Sequence, residues 1–367
     1  MTEHAFGRAP AFTVGIEEEL LLVDRASLAL APMTDDVLDA MRVDARAAGH
    51  DTYSAQIELR SPPGRSVADA VESLGRLREA ASSAGATLLG AGLHPDGRFG
   101  NATLVEGPRY ELVADQLRGL LRRTPESALH VHVGLPDADT AARAFNAMRL
   151  QVPLLIGLAA NSPFWFGTDS GLASARYVLS RAYPGRRVPR AVRDIEDLEQ
   201  LAGETLAAAG LPDGTFLWWD LRLHPQHGTL ELREMDAQSS LEHAAAIAAL
   251  VRALVVEAAD GPAAPIVPSE ALDWASFRAA RDGTGAIIVD GEATRPLVDV
   301  ARETARRIRP LARDAGDEDV LDGLERVLEQ NGAARQRASF AGGGMPGLLR
   351  RLVDETARTA LPAPRRA

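Results

Sequence analysis

Apolar positions recur with two different periods along the chain. Alternation every second residue predicts half-buried strands at 12–23 (FTVGIEEELLLV), 53–60 (YSAQIELR), 87–92 and 128–134. Two more strands, 215–223 and 229–235, are joined by a turn at 224–228 into an antiparallel hairpin. Recurrence every three to four residues predicts helices at 35–47, 109–122, 137–160, 171–181 and 194–209. A further helix at 66–84 is capped by Ser66 and turns Leu74 and Leu77 to its apolar face. Ser61-Pro62-Pro63-Gly64 and Asn161-Ser162-Pro163 are firm breaks. Beyond Ser240 the pattern is almost wholly helical, apart from a Pro-rich linker at 261–268 and a turn at 283–291, and 361–367 is expected to fray.

Strands therefore crowd the first two thirds and helices close the chain. The hairpin demands antiparallel pairing, so the expectation is an α+β fold, a sheet with helices on one face, rather than a doubly wound one. We expect a single catalytic domain over 1–367, with the sheet and its flanking helices at 12–260 and a helical C-terminal region at 269–360.

Composition narrows the chemistry. With 46% apolar and 25% charged residues the chain reads as an ordinary globular protein, and its net charge of −11 argues against nucleic acid as a partner. The sequence holds no cysteine and no lysine, so every positive side chain is an arginine or a histidine. That excludes thiolate metal sites, cysteine nucleophiles, Schiff-base lysines and the lysine of a Walker motif. Nothing near the start resembles a signal peptide. The longest apolar stretch, 148–160, is broken by Arg149, Gln151, Pro153 and Gly157, which argues against a membrane span; cytoplasmic is the default. The large helical surface is compatible with a homodimer.

Glu17, Glu18 and Glu19 are the strongest local signal. On a strand, Glu17 and Glu19 point to one face and Glu18 to the other. Flanked by Val14, Leu20, Leu21 and Leu22, such charges are costly to bury unless a cation neutralises them. Glu58, alone, reads as a surface residue and gains weight only from company. His130 and His132, two apart on one strand face, suit a metal or a nucleotide. Glu231 and Arg233 repeat that spacing and allow two readings: an exposed half-sheet, or a metal ligand beside a phosphate clamp. A sheet face lined by all of these would hold hard divalent cations, magnesium above all when phosphates are bound too.

Five stretches carry a resemblance: FTVGIEEELLLVD, SALHVHVG, NSPFWFGTDSGLASAR, FLWWDLRLHPQHGTLELREMDAQ and NGAARQRA. Together they resemble the bacterial carboxylate–amine ligase family related to type 2 glutamate–cysteine ligase, over most of the chain. The wider superfamily is similar to glutamine synthetase in its catalytic domain, which implies a curved antiparallel sheet packed by helices. The resemblance implies metal-ligand roles for Glu17, Glu19, Glu58, His130 and Glu231, and a place near the nucleotide for His132. It implies that Arg233 contacts the transferred phosphoryl group or the substrate carboxylate, with Arg176 and Arg335 as further anion contacts. Trp218, Trp219 and Asp220 are expected to shape the hairpin and its pocket, with core packing the preferred reading of the two tryptophans. The chain departs from the family around 53–62 and 273–281.

The implied reaction uses ATP and magnesium to phosphorylate a carboxylate, glutamate in the reference case, and then lets an amine, cysteine in that case, displace phosphate. Rival readings of the same residues are a metal-dependent amide hydrolase, a phosphotransferase, and a nucleotide-binding regulator with a degenerate site.

Overall fold

The computed structural model describes residues 4–290 and 293–361. The strands are Val14–Leu22 (β1), Ala48–His50 (β2), Gln56–Arg60 (β3), Leu88–Leu89 (β4), Ala128–Gly134 (β5), Phe164–Trp165 (β6), Thr168–Asp169 (β7), Leu221–His224 (β8), Thr229–Asp236 (β9), Ile287–Asp290 (β10) and Ala293–Pro296 (β11). The helices begin with Thr34–Met41 (α1), Val67–Ser83 (α2), Pro108–Leu117 (α3), Ala138–Arg149 (α4), Val152–Ala159 (α5), Ala175–Ser180 (α6) and Ile195–Ala209 (α7). They continue with Leu241–Asp260 (α8), Ser269–Asp282 (α9), Leu297–Asp314 (α10), Glu318–Leu321 (α11), Leu324–Glu329 (α12) and Gly332–Thr356 (α13).

One antiparallel sheet organises the molecule, in the order β2-β3-β1-β5-β9-β8, with β4 pairing the C-terminal end of β1. The α+β expectation holds. Alternation decides what each face does. Val14, Ile16, Leu20 and Leu22 of β1, Leu129, Val131 and Val133 of β5, and Leu230, Leu232 and Met235 of β9 join one core with the helix layer of α2, α4 and α8. Helix α8 is buried along most of its length, which is why its sequence, LEHAAAIAALVRALVVEAAD, is apolar nearly all round. On the other face, Leu348, Leu349 and Leu352 of α13 cover Leu21, Val23 and Leu89 and leave the rest of that face polar.

Glu18 is the exception on the apolar face. It meets Arg78 of α2 in a two-bond fork of 2.9 and 2.7 Å, with both side chains fully buried. The three remaining N–H bonds of Arg78 go to the carbonyls of Gln238, Ser239 and Thr356. All five donors are thus satisfied, and one guanidinium ties the central strand to the start of α8 and the end of α13.

Local expectations fail where a turn or a proline intervenes. The helix expected to 47 stops at Met41, because Arg42 turns left-handed (φ 51°), and β2 follows. The helix expected over 137–160 is two, α4 and α5, since Pro153 has no N–H to continue the first. Of the strand expected at 215–223 only Leu221–His224 forms, preceded by a 3-10 turn at Gly214–Phe216. The expected C-terminal turn is a 3-10 turn followed by the β10–β11 hairpin; Gly291 of that turn and 362–367 of the expected frayed end lie outside the described residues.

Removing one partner of a fully buried ion pair leaves a charge without water or counter-ion. Arg78→Ala should therefore cost about 3–5 kcal/mol in urea unfolding. The paired change Glu18→Leu with Arg78→Met should cost far less than the sum of the single changes.

Candidate active site

Antiparallel register assembles the polar face from residues far apart in sequence. Glu17 lies opposite Arg60 of β3 and His130 of β5, and Glu19 opposite Glu58. His132 lies opposite Glu231, which has Arg222 of β8 on its other side. β9 breaks step once: Leu232 pairs with Val131 but Met235 with Leu129, so Arg233 and Glu234 both stand against His130. This bulge presents both charged residues to the polar face while Met235 stays in the core.

The side chains line a cavity of about 410 Å³, walled on its outer side by Asp51, Tyr53, Tyr110, Arg109, Arg186 and Trp218. Two ligand groups stand at this face, each with its ligand atoms within 4.8 Å of one another: Glu17, Glu58 and His130, all of which line the cavity, and Glu17, His132 and Glu231, which shares only Glu17 with its lining. Glu17 belongs to both. His130 Nδ1 lies 3.3 Å from Glu17 and its Nε2 3.6 Å from Glu19; His132 Nε2 lies 3.5 Å from Glu17 and 3.6 Å from Glu231. His132 Nδ1 is 3.1 Å from the Thr229 hydroxyl, which orients the ring. Nε2 of both rings is buried without a hydrogen-bond partner. Glu19 is fixed by the Ala128 N–H at 2.6 Å and by the amide of Gln56.

Charge is crowded here. Burial, with the charge of nearby Asp51, pushes Glu19 up to about 8, and burial beside Glu17 raises Glu58 well above the carboxylate range. Burial would raise Glu17 and Glu231 too. His132 and His130 hold Glu17 well below its ordinary value, and Arg233, Arg222 and both histidines do the same for Glu231. Burial and the Arg233 charge push His130 down to about 4, so its ring is neutral and free to donate a lone pair at neutral pH. Arg60 pairs with Glu58, and Arg222 and Arg233 with Glu231. Surplus carboxylates and orphaned imidazole nitrogens fit a divalent cation, and the arginines beside them fit phosphate or carboxylate oxygens.

A profile of Glutamate-cysteine ligase family 2 matches residues 13–355. A putative glutamate–cysteine ligase 2-1 of Rubrobacter xylanophilus is 34% identical over 91% of this chain and 91% of its own. The glutamate–cysteine ligase of Haloferax volcanii is 32% identical over 95% of this chain and 99% of its own.

The chain belongs to glutamate–cysteine ligase family 2.

Among solved structures, a Francisella tularensis glutamate–cysteine ligase in complex with AMP shares the fold, with a TM-score of 0.70 at 15% identity over 96% of this chain and 90% of that one. Of the residues the sequence singles out, Glu17, Glu19, Glu58, His130 and Arg233 line the cavity, and His132 and Glu231 join Glu17 in the second ligand group beside it. His132, expected beside a nucleotide, sits in a ligand group with Glu17 and Glu231. Two arginines are placed elsewhere. Arg176 is fully buried, with its guanidinium on the backbone carbonyls of Glu234 and Arg233 and 3.5 Å from Asp236; it props β9 and does not line the cavity. Arg335 pairs with Glu355 in a separate cavity, because α13 carries it away from the acidic face. Of the hairpin residues, Trp219 is in the core, Asp220 is buried against Arg181, and Trp218 lines the cavity. Sequence reasoning missed Arg60 and Arg222, although each stands at an alternate position next to a chosen residue. Asp51, Arg186 and Tyr110 come from loops and a helix whose patterns carry no signal.

The raised Glu19 carboxyl has a consequence for stability. Between its ordinary value of 4.5 and about 8 the folded chain holds a proton that the unfolded chain has lost, so folding should weaken as pH rises through that window. A cation that needs the carboxylate reverses the trend. Thermal melts should show the magnesium-induced gain growing with pH across that window in wild type and flattening in Glu19→Gln; an equal gain at every pH would count against Glu19 as a ligand.

Proposed function

We propose that the protein is an ATP-dependent carboxylate–amine ligase that joins glutamate to cysteine, giving γ-glutamylcysteine, ADP and phosphate. The observation that carries this is the pair of ligand groups sharing Glu17, set beside Arg60, Arg222 and Arg233 in a family 2 chain. Magnesium is the ion we assign: Glu17, Glu58 and His130 would hold one position and Glu17, His132 and Glu231 another, with Glu19 beside them. When bound, it would neutralise phosphate oxygens during phosphoryl transfer.

The reaction has two displacements. A glutamate carboxylate oxygen takes the γ-phosphoryl group and ADP leaves; the cysteine nitrogen then attacks the acyl carbon and phosphate leaves with its bridging oxygen. Arg233 has the planar fork that suits the transferring phosphoryl oxygens, and Arg222 shares its counter-ion, Glu231. Arg60 and Arg186 line the same cavity and offer charge to substrate carboxylates. Tyr53, Tyr110 and Trp218 form the wall that keeps water from an acyl phosphate. A complete acidic set favours this over a degenerate regulator. The reading places the enzyme in the cytoplasm, where ATP is made available to it.

With magnesium and ATP, ADP should appear only when glutamate and cysteine are supplied together, matched by a γ-glutamyl amide in the mass spectrum. ADP from glutamate alone would mean a phosphotransferase, and amine release without nucleotide would mean a hydrolase. Glu231→Gln should lower kcat at least about 10²–10³-fold and weaken magnesium binding in calorimetry; full turnover in that variant would remove Glu231 from the metal set.

A further inference from the structure

A second cavity, of about 430 Å³, opens between the first turn of α8, α12 and α13. It shares no lining residue with the acidic one. Four guanidiniums line it, those of Arg326, Arg335, Arg351 and Arg358, against the carboxylates of Glu242, Glu329 and Glu355. In a chain of net charge −11 that surplus of positive charge is local and unusual.

Pairing inside the cavity leaves two of the four cations over, against one carboxylate, Glu329. Arg326 takes Glu242 and Arg335 takes Glu355. Arg351 comes no nearer than 4.0 Å to Glu355, which is already engaged. Arg358 makes no side-chain hydrogen bond or ion pair among the described residues. On α10, by contrast, Arg302, Arg309 and Arg313 each have a carboxylate at 2.6–3.2 Å. Arg351 stands one helical turn before Glu355 on α13, Arg358 follows just past the end of that helix, and both line the cavity with Glu355.

The floor adds to the effect. His243 is buried with both ring nitrogens 3.2 Å from the Arg335 guanidinium. Burial and that charge push it down to about 3, so it brings no positive charge of its own. Burial, then the charges of Arg351 and Arg358, lower Arg335 to about 10, which records like charges held together. The first turn of α8, capped by Ser240, points its positive end into the same space.

We propose that this cavity is a binding site for a small polyanion bearing two or more phosphate or carboxylate groups, held by Arg351 and Arg358 above Arg335. Its anions would supply the counter-charge that the chain itself omits. The site is independent of the ligase reading, since it uses none of the residues of the acidic cavity.

The test titrates pyrophosphate and citrate separately into the metal-free full chain at low salt, by calorimetry, and locates each by hydrogen exchange. Saturable binding is expected, weakened at least about tenfold in the double variant Arg351→Glu, Arg358→Glu, and retained in Arg351→Lys. Both side chains are exposed, and a melting curve checks that the double variant is folded. Exchange should slow in segments 240–245 and 350–358. Binding of pyrophosphate alone would identify a phosphate ligand, and of citrate alone a carboxylate one. Absence of saturable binding by both anions, equal affinity in the double variant, or protection confined to 128–134 and 229–236 would overturn the proposal.

Discussion

Three adjacent carboxylates on a central strand set the terms for the rest of the structure, because burial charges each of them a different cost. Glu18, pointing into the helix layer, is stabilised by a guanidinium whose every N–H is used within the fold. Glu17 and Glu19, pointing the other way, meet Glu58 and Glu231 as well, and the arginines there are too few and too engaged to balance them. The same strand therefore contains a closed electrostatic account on one side and an open one on the other. Rigidity goes with the first, and chemistry with the second.

The legible part of this arrangement was written in period two. The GIEEELLL and LHVHVG stretches announce which side chains share a face, and the hairpin turn announces antiparallel pairing. From these the α+β class follows, and so does the face that most of the candidate ligands share, before any contact is known. Register was not legible: nothing local says that Glu17 faces His130 or that Glu231 faces His132. Arg176 and Arg335 stand away from the acidic cavity for the same reason. An arginine in a recurring motif advertises a need for charge, but whether that need is met by a ligand, a carbonyl or Glu355 depends on packing. Pro153 and the left-handed Arg42 are visible as residues, yet where a helix stops because of them depends on what the chain must reach next.

Arginine carries every permanent positive charge here, and the structure uses it in three ways. At Arg78 and Arg181 it closes buried networks. At Arg222 and Arg233 it shares a carboxylate with the ligand groups, which keeps Glu231 ionised in a buried place. On α10 it forms exposed pairs that contribute little each. The residue type is the same; depth and partner number separate the uses.

The bulge in β9 makes length, and not only identity, a condition of activity. One extra residue sets Arg233, which lines the cavity, and Glu234 both against His130 and still returns Met235 to the core. Delete either Arg233 or Glu234 and the ladder would become regular with Met235 and Asp236 still on the faces they hold now, but only one charged residue would be left opposite His130. A one-residue deletion at this point would thus spare the core and fall on the polar face alone, so the length of the strand here answers to its charges rather than to its packing.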